Sequence, residues 1–188
     1  MAKEYRFRVP ADLRDLPWTV HVEVDSLAGT AQLGGLLAAI LDAGLFVGLS
    51  GELGSGKTEL VRGIVSALGG SAEELASPSY VLQCIYPVPG FLFGEKRPSS
   101  VHHWDWYRLG AGGLPPEFSD ERTSRSVLAL VEWPERIEEW QEMEDLRCRI
   151  EFADATPGTG RRVDLEFRNR ALAERMLAIL KKTGALRA

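Results

Sequence analysis

Apolar and polar positions recur along this chain at two spacings, and the two spacings predict its elements. Thr19 to Val24 (TVHVEV) alternates with β-branched residues and predicts a half-buried strand. Leu33, Leu36, Leu37, Ile40 and Leu41 then share one helical face, with Gly44 as the predicted stop. Leu45 to Leu49 is almost wholly apolar, as a buried parallel strand requires, and Leu60, Val61, Ile64, Val65 and Leu68 return at helical spacing. Tyr80 to Tyr86 has strand composition. His102 to Arg108 (HHWDWYR) predicts an aromatic-rich strand, with His103, Asp105 and Tyr107 on one side and Trp104 and Trp106 on the other. Val127 to Val131 is another buried-strand run, and Pro134 suits the first turn of a short helix over 135–142. Leu146 to Phe152 and Arg162 to Phe167 alternate as a hairpin, and Leu172, Met176, Ile179 and Leu180 mark a terminal helix. Pro87 to Ser100, with three prolines, two glycines and two serines, reads as a loop or a loose hairpin excursion.

Composition changes this picture little. The 188 residues suit one domain spanning 1–188, with 1–25 as an N-terminal extension and first strand. Hydrophobic content of 45% and charged content of 26% are those of a globular chain. The opening Met-Ala-Lys-Glu-Tyr-Arg is charged where a signal peptide is apolar, and no run of about 18 apolar residues occurs, so a cytoplasmic protein is expected. Cys84 and Cys148 lie far apart without metal or disulfide spacing. A net charge of −5 argues against a chain that grips nucleic acid alone. Arg175, Lys181, Lys182 and Arg187 read as a solvated helix face.

Candidate chemistry begins at Gly51. The stretch Gly51-Glu52-Leu53-Gly54-Ser55-Gly56-Lys57-Thr58 fits G-x-x-x-x-G-K-[S/T] between a predicted strand and a predicted helix. There a glycine-rich turn aims backbone N–H groups and the positive helix terminus at a phosphate chain. Lys57 would reach the β- and γ-phosphates, and the Thr58 hydroxyl would ligate magnesium. The expected fold is therefore α/β, a P-loop NTPase-like three-layer domain with a mostly parallel central sheet and an antiparallel C-terminal hairpin. Hydrolysis also needs a carboxylate near magnesium and a group that orients water. Asp105, within one predicted strand, is assigned to the metal, and Glu132, directly after another, to water activation. The alternative is that both are polar strand ends.

Four motifs in order carry a family resemblance. GELGSGKTE from Gly51 to Glu59, Ser77-Pro78-Ser79-Tyr80, His103-x-Asp105-x-Tyr107-Arg108 and Glu132-Trp133-Pro134 resemble the motifs of the TsaE (YjeE) family of bacterial ATPases. The likeness runs from about Thr30 to the C-terminal helix. It implies ATP and Mg2+ as ligands, held by the Gly51–Glu59 loop, with Thr58, Asp105 and Ser79 toward the metal and Glu132 with Trp133 supporting hydrolysis. It also implies TsaB and TsaD as partners, in a complex that makes threonylcarbamoyladenosine in tRNA, with ATP hydrolysis resetting or gating that complex. Turnover alone is expected to be slow, with partner docking completing the site.

Departures from the family pattern set further expectations. Ser79 replaces threonine but keeps a hydroxyl, Glu52 replaces aspartate, and Glu59 replaces a threonine expected near the α-phosphate. Glu59 is expected to turn away from bound phosphate, at a cost in nucleotide affinity. Two other readings stay open: a small-molecule kinase whose lid would be 117–125, with Arg122 and Arg125, and a nucleotide-gated binding module. A GTPase is disfavoured because no N-K-x-D motif occurs.

Overall fold

A computed structural model describes residues 5–8, 17–71, 82–89, 96–109, 113–122, 124–153 and 160–182. Along the chain these form β1 (Tyr5–Arg8), β2 (Trp18–Val24), α1 (Leu27–Ala38), β3 (Phe46–Ser50), α2 (Lys57–Ala67), β4 (Gln83–Pro87), β5 (Ser100–Asp105), β6 (Val127–Glu132), β7 (Leu146–Phe152), β8 (Arg161–Phe167) and α3 (Arg170–Lys182). The strands make one sheet in the order β1-β2-β8-β7-β3-β6-β5-β4. The central β7, β3, β6 and β5 run parallel, and both flanks are antiparallel. Burial follows these positions. β6 is buried at every residue because both its faces are covered, whereas β2 buries Val20, Val22 and Val24 and exposes His21 and Glu23. Pro87 is tolerated because β4 is an edge strand.

The two faces of the sheet are covered differently. On one face, Val47, Leu49, Leu128 and Leu130 meet the buried residues of α1, α2 and α3. On the other, Trp104, Trp106, Ala129 and Val131 meet Phe118 and Trp140 from short 3-10 turns and Ile137 from the link between two of them. The third layer is thus a plate of turns locked by edge-on rings, such as Trp106–Trp140 at 5.2 Å and Trp104–Phe118 at 5.4 Å.

Several boundaries differ from the sequence expectation for identifiable reasons. The helix expected over 135–142 is two 3-10 turns, Pro134–Arg136 and Glu138–Glu142, broken at Ile137 with extended backbone. Three-residue periodicity places Pro134, Ile137 and Trp140 on one buried side, which a 3-10 turn satisfies and an α-helix would splay. The strand expected to reach Arg108 stops at Asp105, whose Oδ1 accepts the Tyr107 N–H at 2.9 Å and folds the chain over. The strand expected over 80–86 is Gln83–Pro87, and residues 80 and 81 lie outside the described residues. α1 ends at Ala38 rather than at Gly44, yet Ile40 and Leu41 stay buried. Arg97, from the expected loop excursion, donates to the carbonyls of Ala38 and Leu41 and so caps that helix end. Phe91, Leu92 and Phe93 lie outside the described residues. The basic C-terminal residues are partly explained: Arg175 pairs with Asp42 across the helix layer, and Lys181 and Lys182 complement the α3 carbonyl end.

Candidate functional site

The carboxyl ends of β3, β6 and β5 meet in one place, and the glycine loop rises from the first of them. Gly51, Gly54 and Gly56 all have positive φ (145°, 78° and 113°). At Gly51 a side chain is also excluded by space, because a Cβ would stand 2.3 Å from the Ile150 carbonyl oxygen. Gly56 caps α2 without any side-chain hydrogen bond, so the first amides of that helix keep no local side-chain partner. From the far side of the chain, the buried Arg161 donates through Nε to the Ser55 carbonyl at 3.1 Å and steadies the loop.

Lys57, the first residue of α2, is 4% exposed. Its ammonium donates to the carbonyls of Gly51 (2.7 Å) and Glu52 (3.0 Å) and lies 4.2 Å from the centre of the Trp133 ring. Burial pushes its pKa below the ordinary lysine value, against the nearby charges of Glu132, Asp105 and Glu135. Trp133 is the one non-glycine residue with positive φ among the described residues (61°), a conformation costing about 1–2 kcal/mol. Its N–H bonds the Leu49 carbonyl at 3.1 Å, and its carbonyl accepts from Arg136 at 3.1 Å. Those bonds hold the strained turn, which keeps the ring under Lys57 and 5.0 Å from the Tyr107 ring.

Asp105 and Glu132 end adjacent parallel strands in matched register. Glu132 is 3% exposed, and its Oε1 accepts from the Thr58 hydroxyl and from His103 Nε2, each at 2.9 Å. Burial alone would raise its pKa. The His103 hydrogen bond, the charge of the Lys57 ammonium and the Thr58 bond outweigh burial and hold the carboxyl below the ordinary glutamate value. Thr58, Glu132, Asp105, Lys57 and Trp133 line a cavity of about 380 Å3. Trp133, Tyr107 and Leu53, the last 78% exposed at the loop tip, also border a larger cavity of about 950 Å3.

Residues 24–163 match the family model described as threonylcarbamoyl adenosine biosynthesis protein TsaE. The chain belongs to the TsaE family. It is 40% identical over 124 residues to the tRNA threonylcarbamoyladenosine biosynthesis protein TsaE of Streptomyces coelicolor, covering 65% of this chain and 78% of that protein. To the protein of the same name from Haemophilus influenzae it is 30% identical over 121 residues, 63% of this chain and 70% of that one. The crystal structure of Bacillus subtilis YdiB shares the fold, with a TM-score of 0.62 over 85% of this chain and 95% of that chain at 21% identity. TsaE proteins belong to tRNA threonylcarbamoyladenosine biosynthesis, and the P-loop architecture suits nucleotide handling. No helix among the described residues is long and apolar enough to cross a membrane.

The donor set of this TsaE-family site is all oxygen. One hydroxyl (Thr58) and two carboxylates (Asp105 and Glu132) line the same cavity, which fits magnesium, a hard cation that keeps waters and shares its shell with phosphate. No cluster of three or more His, Cys, Asp or Glu forms a protein-only metal cage among the described residues. The residues expected from the loop, together with Asp105, Glu132 and Trp133, are brought together; Ser79 lies outside the described residues.

Glu59 borders the cavity, and Arg62 donates to its carboxylate at 3.1 Å. Replacing Glu59 by threonine is therefore expected to tighten ATP binding by about two- to fivefold at low salt, the scale of one partly exposed charge pair. Calorimetric titration at rising ionic strength checks it, and an affinity that does not respond excludes the effect. Arg62 escaped the sequence reading, although it lies one helical turn beyond Thr58 and could have been found by that spacing. Arg161 carried no local signal, since 106 residues separate it from Ser55.

Proposed function

We propose that this chain is a magnesium-dependent ATPase serving threonylcarbamoyladenosine modification of tRNA, one domain over 1–188 that acts on a complex with TsaB- and TsaD-like partners. The observation that carries the reading is the convergence of Lys57, Thr58, Asp105 and Glu132 on one cavity beside the glycine loop. Lys57 is held by two loop carbonyls and an aromatic face, so a triphosphate entering the loop gives its ammonium a stronger partner than either carbonyl. The loop amides and Lys57 offset negative charge where it develops, beside the buried Asp105 and Glu132. Thr58 and Asp105 would hold magnesium, with Glu132 close by through its bond to Thr58. Bound magnesium would neutralise phosphate oxygens. Glu132, kept ionised by its donors, orients a water for attack and can take its proton.

A kinase would need its arginine-bearing segment to close over the site. That segment is anchored instead: Phe118 is buried in the aromatic plate on the face opposite α2, and Glu121 pairs with His102 and accepts from Gln83 at 2.9 Å. This supports hydrolysis over transfer to a small acceptor.

The test is reconstitution. The chain is added to TsaB, TsaD, tRNA and threonylcarbamoyl-adenylate, and both phosphate release and multiple-turnover modification are scored. The wild type is expected to sustain both, and Lys57→Ala to lose both, with ATP hydrolysis lowered at least about 100-fold. A phosphorylated metabolite in place of free phosphate, or modification that ignores Lys57→Ala, would sink the proposal.

A further inference from the structure

We infer that His103 is a positioning residue for Glu132, setting which carboxylate oxygen faces the phosphate cavity; the inference rests on the ATPase reading above. His103 is fully buried on β5, two residues before the strand end, so alternation puts it on the same side as Asp105. Its Nε2 lies 2.9 Å from Glu132 Oε1, the oxygen that also accepts the Thr58 hydroxyl. Both donors engage Oε1, which leaves Oε2 as the oxygen without either of them and available to a water.

The other cations and donors around the carboxylate are tied to the loop. The Lys57 ammonium is engaged by loop carbonyls, and Thr58 sits on the loop that nucleotide would occupy. His103 is the donor that belongs to the sheet and does not depend on what fills the loop. Its other ring nitrogen, Nδ1, is buried without a hydrogen-bond partner among the described residues, beside the Tyr86 ring at 6.4 Å. A proton at Nδ1 would be buried unpaired, whereas the Nε2–H tautomer leaves only a lone pair there. The lack of an acceptor at Nδ1 thus selects the tautomer that donates to Glu132.

The experiment compares His103→Leu, which fills the site without a donor, with His103→Gln, which restores an N–H at similar reach. Steady-state phosphate release is expected to show kcat lowered by about 10- to 100-fold in His103→Leu with KM for ATP unchanged, and most of the rate regained in His103→Gln. On the nucleotide-free protein, ring 15N NMR is expected to show a protonated Nε2 and a bare Nδ1, with Glu132→Gln shifting the Nε2 signal most. A His103→Leu chain as fast as wild type overturns this inference alone. Equal damage in both variants, with matching losses of thermal stability, overturns it in favour of a packing role, as does a ring protonated at Nδ1 instead. A wild type that releases no phosphate with its partners sinks the ATPase reading and the inference together.

Discussion

Replacing Glu132 by alanine is expected to slow ATP hydrolysis by about 100- to 10,000-fold, the usual worth of a positioned acid–base group. Magnesium-ATP should still bind, because the loop amides, Lys57 and Thr58 remain. Glu132 stands at the end of β6, against the phosphate-loop strand, with its oxygen bonded to the hydroxyl on that loop. Calorimetry and phosphate release on the same sample separate the two effects. A variant that binds and hydrolyses like the wild type would leave a nucleotide-gated binding module as the better reading. Stability should respond to pH as well. The folded pKa of Glu132 lies below its unfolded value, so its contribution is fully present above the ordinary carboxylate range and is lost as pH falls through the folded value. Denaturant midpoints for wild type and Glu132→Ala should therefore converge as the solution is acidified. A constant gap down to the acid limit would contradict the depressed pKa.

Gly63→Ala is expected to destabilise the fold by about 3 kcal/mol, the upper end of overpacking in a tight core. For a chain of this length that corresponds to a fall of about 6–12 °C in Tm. Helix propensity pulls the other way, since alanine is favoured over glycine inside a helix by about 1 kcal/mol. Sterics win because a Cβ on Gly63 would stand 2.0 Å from the Ala31 carbonyl oxygen and 2.9 Å from the Ala31 Cα. Both are backbone atoms, which cannot rotate aside. Gly34 makes the reciprocal approach, where a Cβ would lie 2.3 Å from the Leu60 carbonyl oxygen. α1 would have to withdraw from α2, and that contact also seats the helix whose first turn carries Lys57 and Thr58. Differential scanning calorimetry checks the loss, and a Tm at or above that of the wild type would show that the two helices do not approach through these glycines.

What could be read along the chain was local chemistry. The phosphate loop is contiguous: its glycines, lysine and hydroxyl lie within eight residues, and the flanking strand and helix announce themselves by their own periodicity. Element types were legible for the same reason, as β6 shows by its unbroken apolar run. The ends of elements were less so, because tertiary bonds made them: Asp105 turning back on Tyr107, Arg97 closing α1, and Ile137 dividing a predicted helix into two turns.

The site as a working arrangement came only from the tertiary structure. Asp105 and Glu132 are neighbours because β5 and β6 pair in one particular parallel register, a choice made by burial on both faces of the sheet. The Thr58–Glu132 bond joins residues 74 apart and the Arg161–Ser55 bond residues 106 apart, separations over which no sequence period reports. The close passage of α1 over α2 likewise depends on two glycines that, in sequence, only weaken a helix. A linear pattern states what each segment prefers; which segments meet is decided by the shared core that none of them can bury alone.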